Sequence, residues 1–264
     1  MPPRKPPASP AEGPIVAPPP VRKARAAPDR PKARRPARGP AVLEPALVRE
    51  VFTRFRAATA EPKGELEHVN PFTLLVAVVL SAQATDAGVN RATRSLFARA
   101  STPQAMLDLG EDAVREHVKS IGLFRTKAKN VIALSRLLVE RHGGEVPADR
   151  DALEQLPGVG RKTANVVLNM AFGLPTIAVD THLFRVSNRL PLARGATPLA
   201  VELGLGKVIP QEFLLHAHHW LILHGRYVCK ARKPDCPRCL IADLCRFEPK
   251  TGTPNAAKGK PAKA

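Results

Sequence analysis

The chain has 264 residues, 24% of them charged, and a formal net charge of +18. That length supports a substantial core and one or two domains, and that charge favours a polyanionic partner, nucleic acid first. No apolar run reaches the roughly 18 residues needed to span a bilayer and no apolar leader is visible, so membrane and secretory classes are excluded and an intracellular protein, cytoplasmic or nucleoid-associated, is expected.

The charge is uneven. Residues 1–40 hold ten Lys or Arg against two acids, and the last seven residues hold three lysines, which leaves about +7 on the rest. Residues 1–44 contain 13 of the 28 prolines. Such a segment buries too little apolar surface to offset its ordering entropy, so it reads as a disordered basic tail rich in Pro, Arg and Ala. It serves as a solubilising tail, a DNA-tethering arm or a transit segment; its proline density speaks against the amphipathic helix of the last. Residues 249–264 read as a second disordered basic tail.

Between the tails, helix signals follow one another. Pro45 starts a helix with Val48, Val51, Phe52 and Phe55 on one face. Asn70-Pro71 is a cap followed by proline at the first helical position, and the helix after it is apolar on nearly every side. It ends in SAQATD, which places Gln83 where it can project into a cleft. Thr102-Pro103 opens a short helix stopped by Gly110. Glu111 and Asp112 open another, with Val114, Val118 and Ile121 on its face and Gly122 as its stop. Leu123 follows, exposed in a turn before a basic helix start at Arg125, Lys127 and Lys129. That helix spans 126–141 and ends at Gly143-Gly144, and a short helix follows Asp149. Thr197-Pro198 caps a further helix, weakened at Gly204 and Gly206 by about 1 kcal/mol each relative to alanine. Residues 211–224 are strongly apolar and hold the only Trp. Strand signals are nearly absent, so the fold is expected to be all-α.

The stretch LPGVGRKTANVVLNMAFG, residues 156–173, is a glycine-punctuated turn running into a helix. Ala164, Val167, Leu168 and Ala171 fall at helical spacing, and Gly173 makes the stop. Gly158 and Gly160 therefore lie at a helix N-terminus, whose unpaired N–H groups suit a phosphate. Lys162 sits on the first turn and Asp180 lies eighteen residues further on, in TIAVDTH. Each feature alone has an ordinary reading: a loop glycine, a solvated lysine, an N-cap aspartate. Together they bring a phosphate anchor, an amine and a carboxylate into one unit.

All four cysteines, Cys229, Cys236, Cys239 and Cys245, lie within seventeen residues in the pattern C-x6-C-x2-C-x5-C. Disulfides are disfavoured inside cells, so clustering points to metal. Only one C-x2-C pair is present, and the irregular spacing suits a [4Fe–4S] cluster over zinc by about two to one. Four histidines at 216, 218, 219 and 224 have no suitably placed carboxylate, and a packed structural role is expected for them.

These segments resemble the endonuclease III family of helix-hairpin-helix DNA glycosylases. The likeness rests on PFTLLVAVVLSAQATD at 71–86, IGLFRTKAKN at 121–130, GEVPADRDALEQLPGVGRKTANVVLN at 144–169 and HHWLILHGRYVC at 218–229, and it covers roughly residues 45–248. It implies two helical lobes: a barrel at 64–174 containing the hairpin, and a discontinuous iron–sulfur domain of 45–63 plus 175–248. It implies a monomeric enzyme acting on damaged double-stranded DNA, with a [4Fe–4S] cluster on the four cysteines. Lys162 and Asp180 are implied as catalytic. Gln83 and Leu123 are implied to fill the duplex beside an extruded base, and Asp86 and, more weakly, Glu154 to adjoin the base pocket. The hairpin residues Leu156, Gly158, Val159, Gly160 and Arg161, with Lys230, Arg232 and Lys233 of the first cysteine loop, are expected at the DNA backbone; Asp235 interrupts that basic run. The activity implied is excision of oxidised pyrimidines followed by a strand nick through a lysine Schiff base. The rivals are a non-catalytic DNA-binding iron–sulfur redox sensor, a zinc-stabilised DNA-binding module, and an enzyme of the same fold acting only on abasic sites or mismatches.

Overall fold

The computed structural model describes residues 42–252. The two tail assignments therefore lie mostly outside the described residues, but not wholly. Leu43 is buried and donates its N–H to the Pro191 carbonyl at 2.8 Å. Thr251 accepts from the Cys236 N–H at 3.3 Å and donates to the Pro234 carbonyl. The packed chain thus reaches a few residues beyond 45 and 248 at both ends.

Eleven α-helices and one short 3-10 turn make up the described fold, with no strand among them. The all-α expectation is met. Helix α1, Pro45–Ala58, buries the expected Val48, Val51, Phe52 and Phe55. Helix α2, Pro71–Leu80, has nine of its ten residues buried, which makes it the central element of the first core. Asn70 caps it in a reciprocal box: its side chain accepts from the Thr73 N–H at 2.8 Å, while its own N–H is bonded to Thr73 Oγ1 at 3.0 Å. Around α2 pack α3 (Asp86–Arg99), α4 (Pro103–Leu109), α5 (Glu111–Val118), α6 (Phe124–His142), α7 (Arg150–Glu154) and α8 (Arg161–Phe172).

A second core joins α1 to α9 (Thr181–Arg189), α10 (Pro198–Val208) and α11 (Gln211–Tyr227). Phe52 stacks on Phe213 with centroids 5.8 Å apart, and Trp220 Nε1 donates to the Thr59 carbonyl at 2.8 Å. The start of the fold is thereby fastened to its end.

Three local expectations change. Helix α5 stops at Val118, four residues before Gly122, because the turn that follows tucks Ile121 back into the core at 6% exposure. Lys127 lies in the apolar stripe of α6 with Ala128, Val131 and Leu134; it is buried, and its amine has no hydrogen-bond partner. Only Arg125 and Lys129 of that basic trio are exposed. Helix α10 runs unbroken through Gly204 and Gly206. Gly204 is there for space: a Cβ on it would stand 2.8 Å from the Ala193 Cβ.

Candidate active site and nucleic-acid face

The hairpin is α7, the turn Gln155–Gly160 and α8. Leu156 and Val159 are buried, so their side chains pin the turn to the first core and do not face outward. Their N–H groups are also used internally, Leu156 to the Leu153 carbonyl and Val159 to the Leu156 carbonyl, both at 3.0 Å. The groups left for an anion are the N–H of Gly158, of Gly160 and of the first turn of α8, which has no side-chain cap. Gly158 has φ +80°, and a Cβ there would come within 2.9 Å of Asn130 Nδ2 and 3.2 Å of Val79 Cγ1. Both the backbone and the space demand glycine. Gly158→Ala is expected to cost about 1–3 kcal/mol in denaturant unfolding and to weaken duplex binding, because the turn must shift to relieve the contact.

Arg161 does not project freely. Its guanidinium is held by Glu202 of α10, with Nη2–Oε1 at 2.7 Å and Nε at 3.0 Å from both carboxylate oxygens. This internal pair ties the hairpin to the second core.

Lys162 lines an open cleft of about 380 Å3 between the two cores. Burial pushes its amine below the usual lysine range; Asp180 and Asp86 pull the other way, and Arg226 adds to the lowering. Asp180 is the N-cap of α9. Its Oδ1 accepts from the N–H groups of both His182 and Leu183 at 2.8 Å. The ordinary N-cap reading is thus correct, and the residue nevertheless lines the cleft with Lys162. The crossover that returns the chain to Asp180 is fixed by α8. Asn165 Nδ2 donates to the Ile177 carbonyl at 3.1 Å, Thr176 Oγ1 donates to the Asn165 carbonyl at 2.6 Å, and Asn169 Nδ2 reaches the Leu215 carbonyl at 3.0 Å.

Gln83 and Asp86 line the same cleft. Glu154 does not; it is exposed on α7, and its charge acts on Arg161. Leu123 stands outside the cleft wall, 59% exposed. Gln83 and Leu123 are the only non-glycine residues among those described with positive φ, at 56° and 59°. Left-handed backbone costs a non-glycine residue about 1–2 kcal/mol. The two turns are neighbours, since a Cβ on Gly122 would lie 3.9 Å from the Gln83 carbonyl oxygen. Two strained, exposed side chains thus stand together at the edge of the cleft.

Glu65 and Arg226 of the cleft escaped the sequence reading, and His218 and His219, read there as packed structural residues, also line it. Arg226 Nη1 donates to Asp86 Oδ2 at 2.5 Å and also to Glu65 Oε2, and the Tyr227 hydroxyl donates to Glu65 Oε1. His218 is buried, and burial, with His219 and Lys162 close by, pushes its pKa down to about 3. It is a neutral imidazole throughout the working range. The structural role expected of the histidines fits His224, packed edge-on to Phe55 with centroids 5.3 Å apart; His218 and His219 instead form cleft wall.

The four cysteines form no disulfide and line a single small apolar cavity of about 30 Å3 with Val186, Leu190, Ile241 and Phe247. Arg189 fixes the first loop by donating to the carbonyls of Lys230 and Ala231, both at 2.6 Å, and its Nη1 lies 3.6 Å from Cys229 Sγ. Lys230, Arg232 and Lys233 are exposed on that loop, as a phosphate-facing role requires.

The family comparisons agree with this architecture. Residues 76–211 match the model of the HhH-GPD superfamily of base excision DNA repair proteins. Endonuclease III of Haemophilus influenzae is 59% identical over 76% of this chain and 95% of its own.

The chain belongs to the endonuclease III family.

Another member, from Escherichia coli K12, is 58% identical over the same shares of the two chains. Among solved structures, a trapped covalent intermediate of endonuclease III with DNA aligns with a TM-score of 0.73 at 47% identity, covering 77% of this chain and 96% of that one. The alignment with endonuclease III relatives spans nearly their whole length. No helix described here is long and apolar enough to cross a membrane.

Proposed function

We infer that this protein is a DNA glycosylase/AP lyase of base excision repair that acts on damaged duplex DNA, as its family membership indicates. The observation that carries the mechanism is a single cleft holding a half-buried, pKa-lowered lysine beside a capped aspartate. A protonated amine has no lone pair to donate, and desolvation shifts Lys162 towards the neutral form that has one. Its Nζ attacks the sugar C1′, a C–N bond forms, and the C1′–base bond breaks as the base leaves with a proton. The furanose C1′–O4′ bond then opens, O4′ taking a proton, and C1′ becomes an iminium carbon; loss of a proton from C2′ then breaks the C3′–O bond, which nicks the strand 3′ to the lesion. Asp180 holds its carboxylate against developing positive charge on the sugar or accepts the lysine proton.

The N–H groups at Gly158 and Gly160 hold a backbone phosphate and fix register without reading sequence. Gln83 and Leu123 fill the space left by the extruded nucleotide; their positive φ holds them outward before DNA arrives, so less ordering is needed on binding. Asp86 borders the base. The two hydrophobic cores support a division into a barrel of 64–174 and a domain of 45–63 plus 175–248, with the cleft at their boundary. Oxidised pyrimidines are the proposed substrates, the chain acts as a monomer, and it works where the chromosome is.

The cysteine cavity fits a [4Fe–4S] cluster. Four thiols line one apolar space, a donor set that a [4Fe–4S] cluster takes. Their irregular C-x6-C-x2-C-x5-C spacing favours the cluster over zinc. When bound, the cluster supplies cross-linking of residues 229–245; the chemistry in the cleft belongs to Lys162 and Asp180.

Borohydride trapping tests the mechanism on three labelled duplexes: one containing thymine glycol, one with an abasic site and one undamaged. An adduct and a 3′ nick on the first two, with none on the third, are expected. Adduct on the abasic duplex alone would remove the oxidised-pyrimidine assignment, and no adduct on any would return the redox-sensor reading.

A further inference from the structure

Lys162 is faced by charge from every side of the cleft. From α9 come Asp180 and His182, from α3 Asp86, from α11 Arg226, His218 and His219, and from the segment before α2 Lys63 and Glu65. Desolvation favours a neutral amine, but the carboxylates Asp180 and Asp86 favour the ammonium. Asp180 is spoken for by the N-terminus of α9. Asp86 is 16% exposed, and what holds it is Arg226, which also binds Glu65.

We propose that Arg226 is a positioning residue for the nucleophile: by bridging Asp86 and Glu65 across the cleft it holds both carboxylates and offsets their charge at Lys162. This rests on Lys162 being the nucleophile. The reasoning is geometric. Arg226 leaves the last turn of α11, anchored in the second core, while Asp86 and Glu65 belong to the side of the first core. A single guanidinium with forked donors spans two carboxylates, which a lysine's point charge does less well. Remove it, and the half-buried Asp86 and the more exposed Glu65 lose their partner, with an amine as the next available cation. Lys162 then becomes harder to deprotonate.

The test is single-turnover Schiff-base trapping on a preformed abasic duplex, which bypasses base recognition, measured from about pH 5 to pH 9. For wild type the rate rises with pH as Lys162 loses its proton. In R226Q the acid limb is expected to move to higher pH, lowering the rate about three- to tenfold on the limb while the alkaline plateau stays within about twofold. R226K restores part of the shift. R226Q/D86N returns the limb to near its wild-type position, because the carboxylate needing neutralisation is gone. D86N alone, which needs no new partner, moves the limb to lower pH and carries the test if R226Q fails to fold. A uniform loss of rate in R226Q with an unmoved midpoint, or an unmoved midpoint in D86N, would overturn the proposal while leaving the lysine mechanism standing. A wild type that traps nothing would sink both.

Discussion

Lys162→Ala abolishes borohydride trapping on abasic and thymine glycol duplexes and lowers single-turnover base release by on the order of a thousandfold or more, while duplex affinity stays within about threefold. The binding half of that expectation follows from where the contacts lie. The phosphate-holding N–H groups, the exposed Lys230, Arg232 and Lys233, and the outward Gln83 and Leu123 are all untouched by the substitution. Stability should move the opposite way from activity. Burial holds the Lys162 amine below its ordinary value of 10.5, so between the two values the unfolded chain binds a proton that the folded chain does not, and stability rises with pH there. Below that window the folded protein carries the full cost of a buried ammonium. Alanine removes that cost, and calorimetry at neutral pH should show a higher Tm for the inactive variant. Undiminished trapping in Lys162→Ala would assign the chemistry to another amine, with the buried Lys127 excluded by its place in the first core.

Cys239→Ser is the second large effect. The loop that carries Lys230, Arg232 and Lys233 is held by Arg189, and on the proposed cluster reading the four thiols hold it further. Burial pushes the Cys239 thiol up to about 11, so without a bound cation it stays protonated and contributes only packing. Wild-type protein should contain iron and acid-labile sulfide and show their visible absorbance. The serine variant should lose both and lose at least about 3 kcal/mol of stability. Its duplex affinity should fall and depend less steeply on salt as the loop's cations lose their fixed positions. Zinc without sulfide in the wild type would replace the cluster with a single-ion site, and a colourless variant of undiminished Tm would make the cysteines dispensable.

The helices were legible where a local device marks them. Asn70-Pro71, Thr102-Pro103 and Thr197-Pro198 are caps whose bonds are made within three residues, and Gly173 ends α8 with φ 63°. Gly122 misled because a glycine need not terminate a helix when a buried Ile121 has already drawn the chain inward. Gly204 misled because its cause, the Ala193 Cβ, lies on another element. The same division governs the site. Lys162 and Asp180 were legible because a turn and a cap announce them. Arg226 was not, for it meets Glu65 and Asp86 across 161 and 140 residues, and nothing in HGRYVC says where that guanidinium will land. Arg161 looked like a free cation for a like reason: its partner Glu202 is 41 residues away.

The bond between Trp220 and Thr59 has a consequence in time. Its ends are 161 residues apart in the chain. A ribosome adding about 5–20 residues per second leaves roughly 8–30 s between the two. The first core needs only contiguous residues from α2 to α8, so it can close while synthesis continues. Helix α1, with Phe52 and Phe55 facing nothing, must wait for α9 to α11 to emerge. The nascent protein therefore passes through a stage in which its barrel is finished and its first helix is a client for a chaperone.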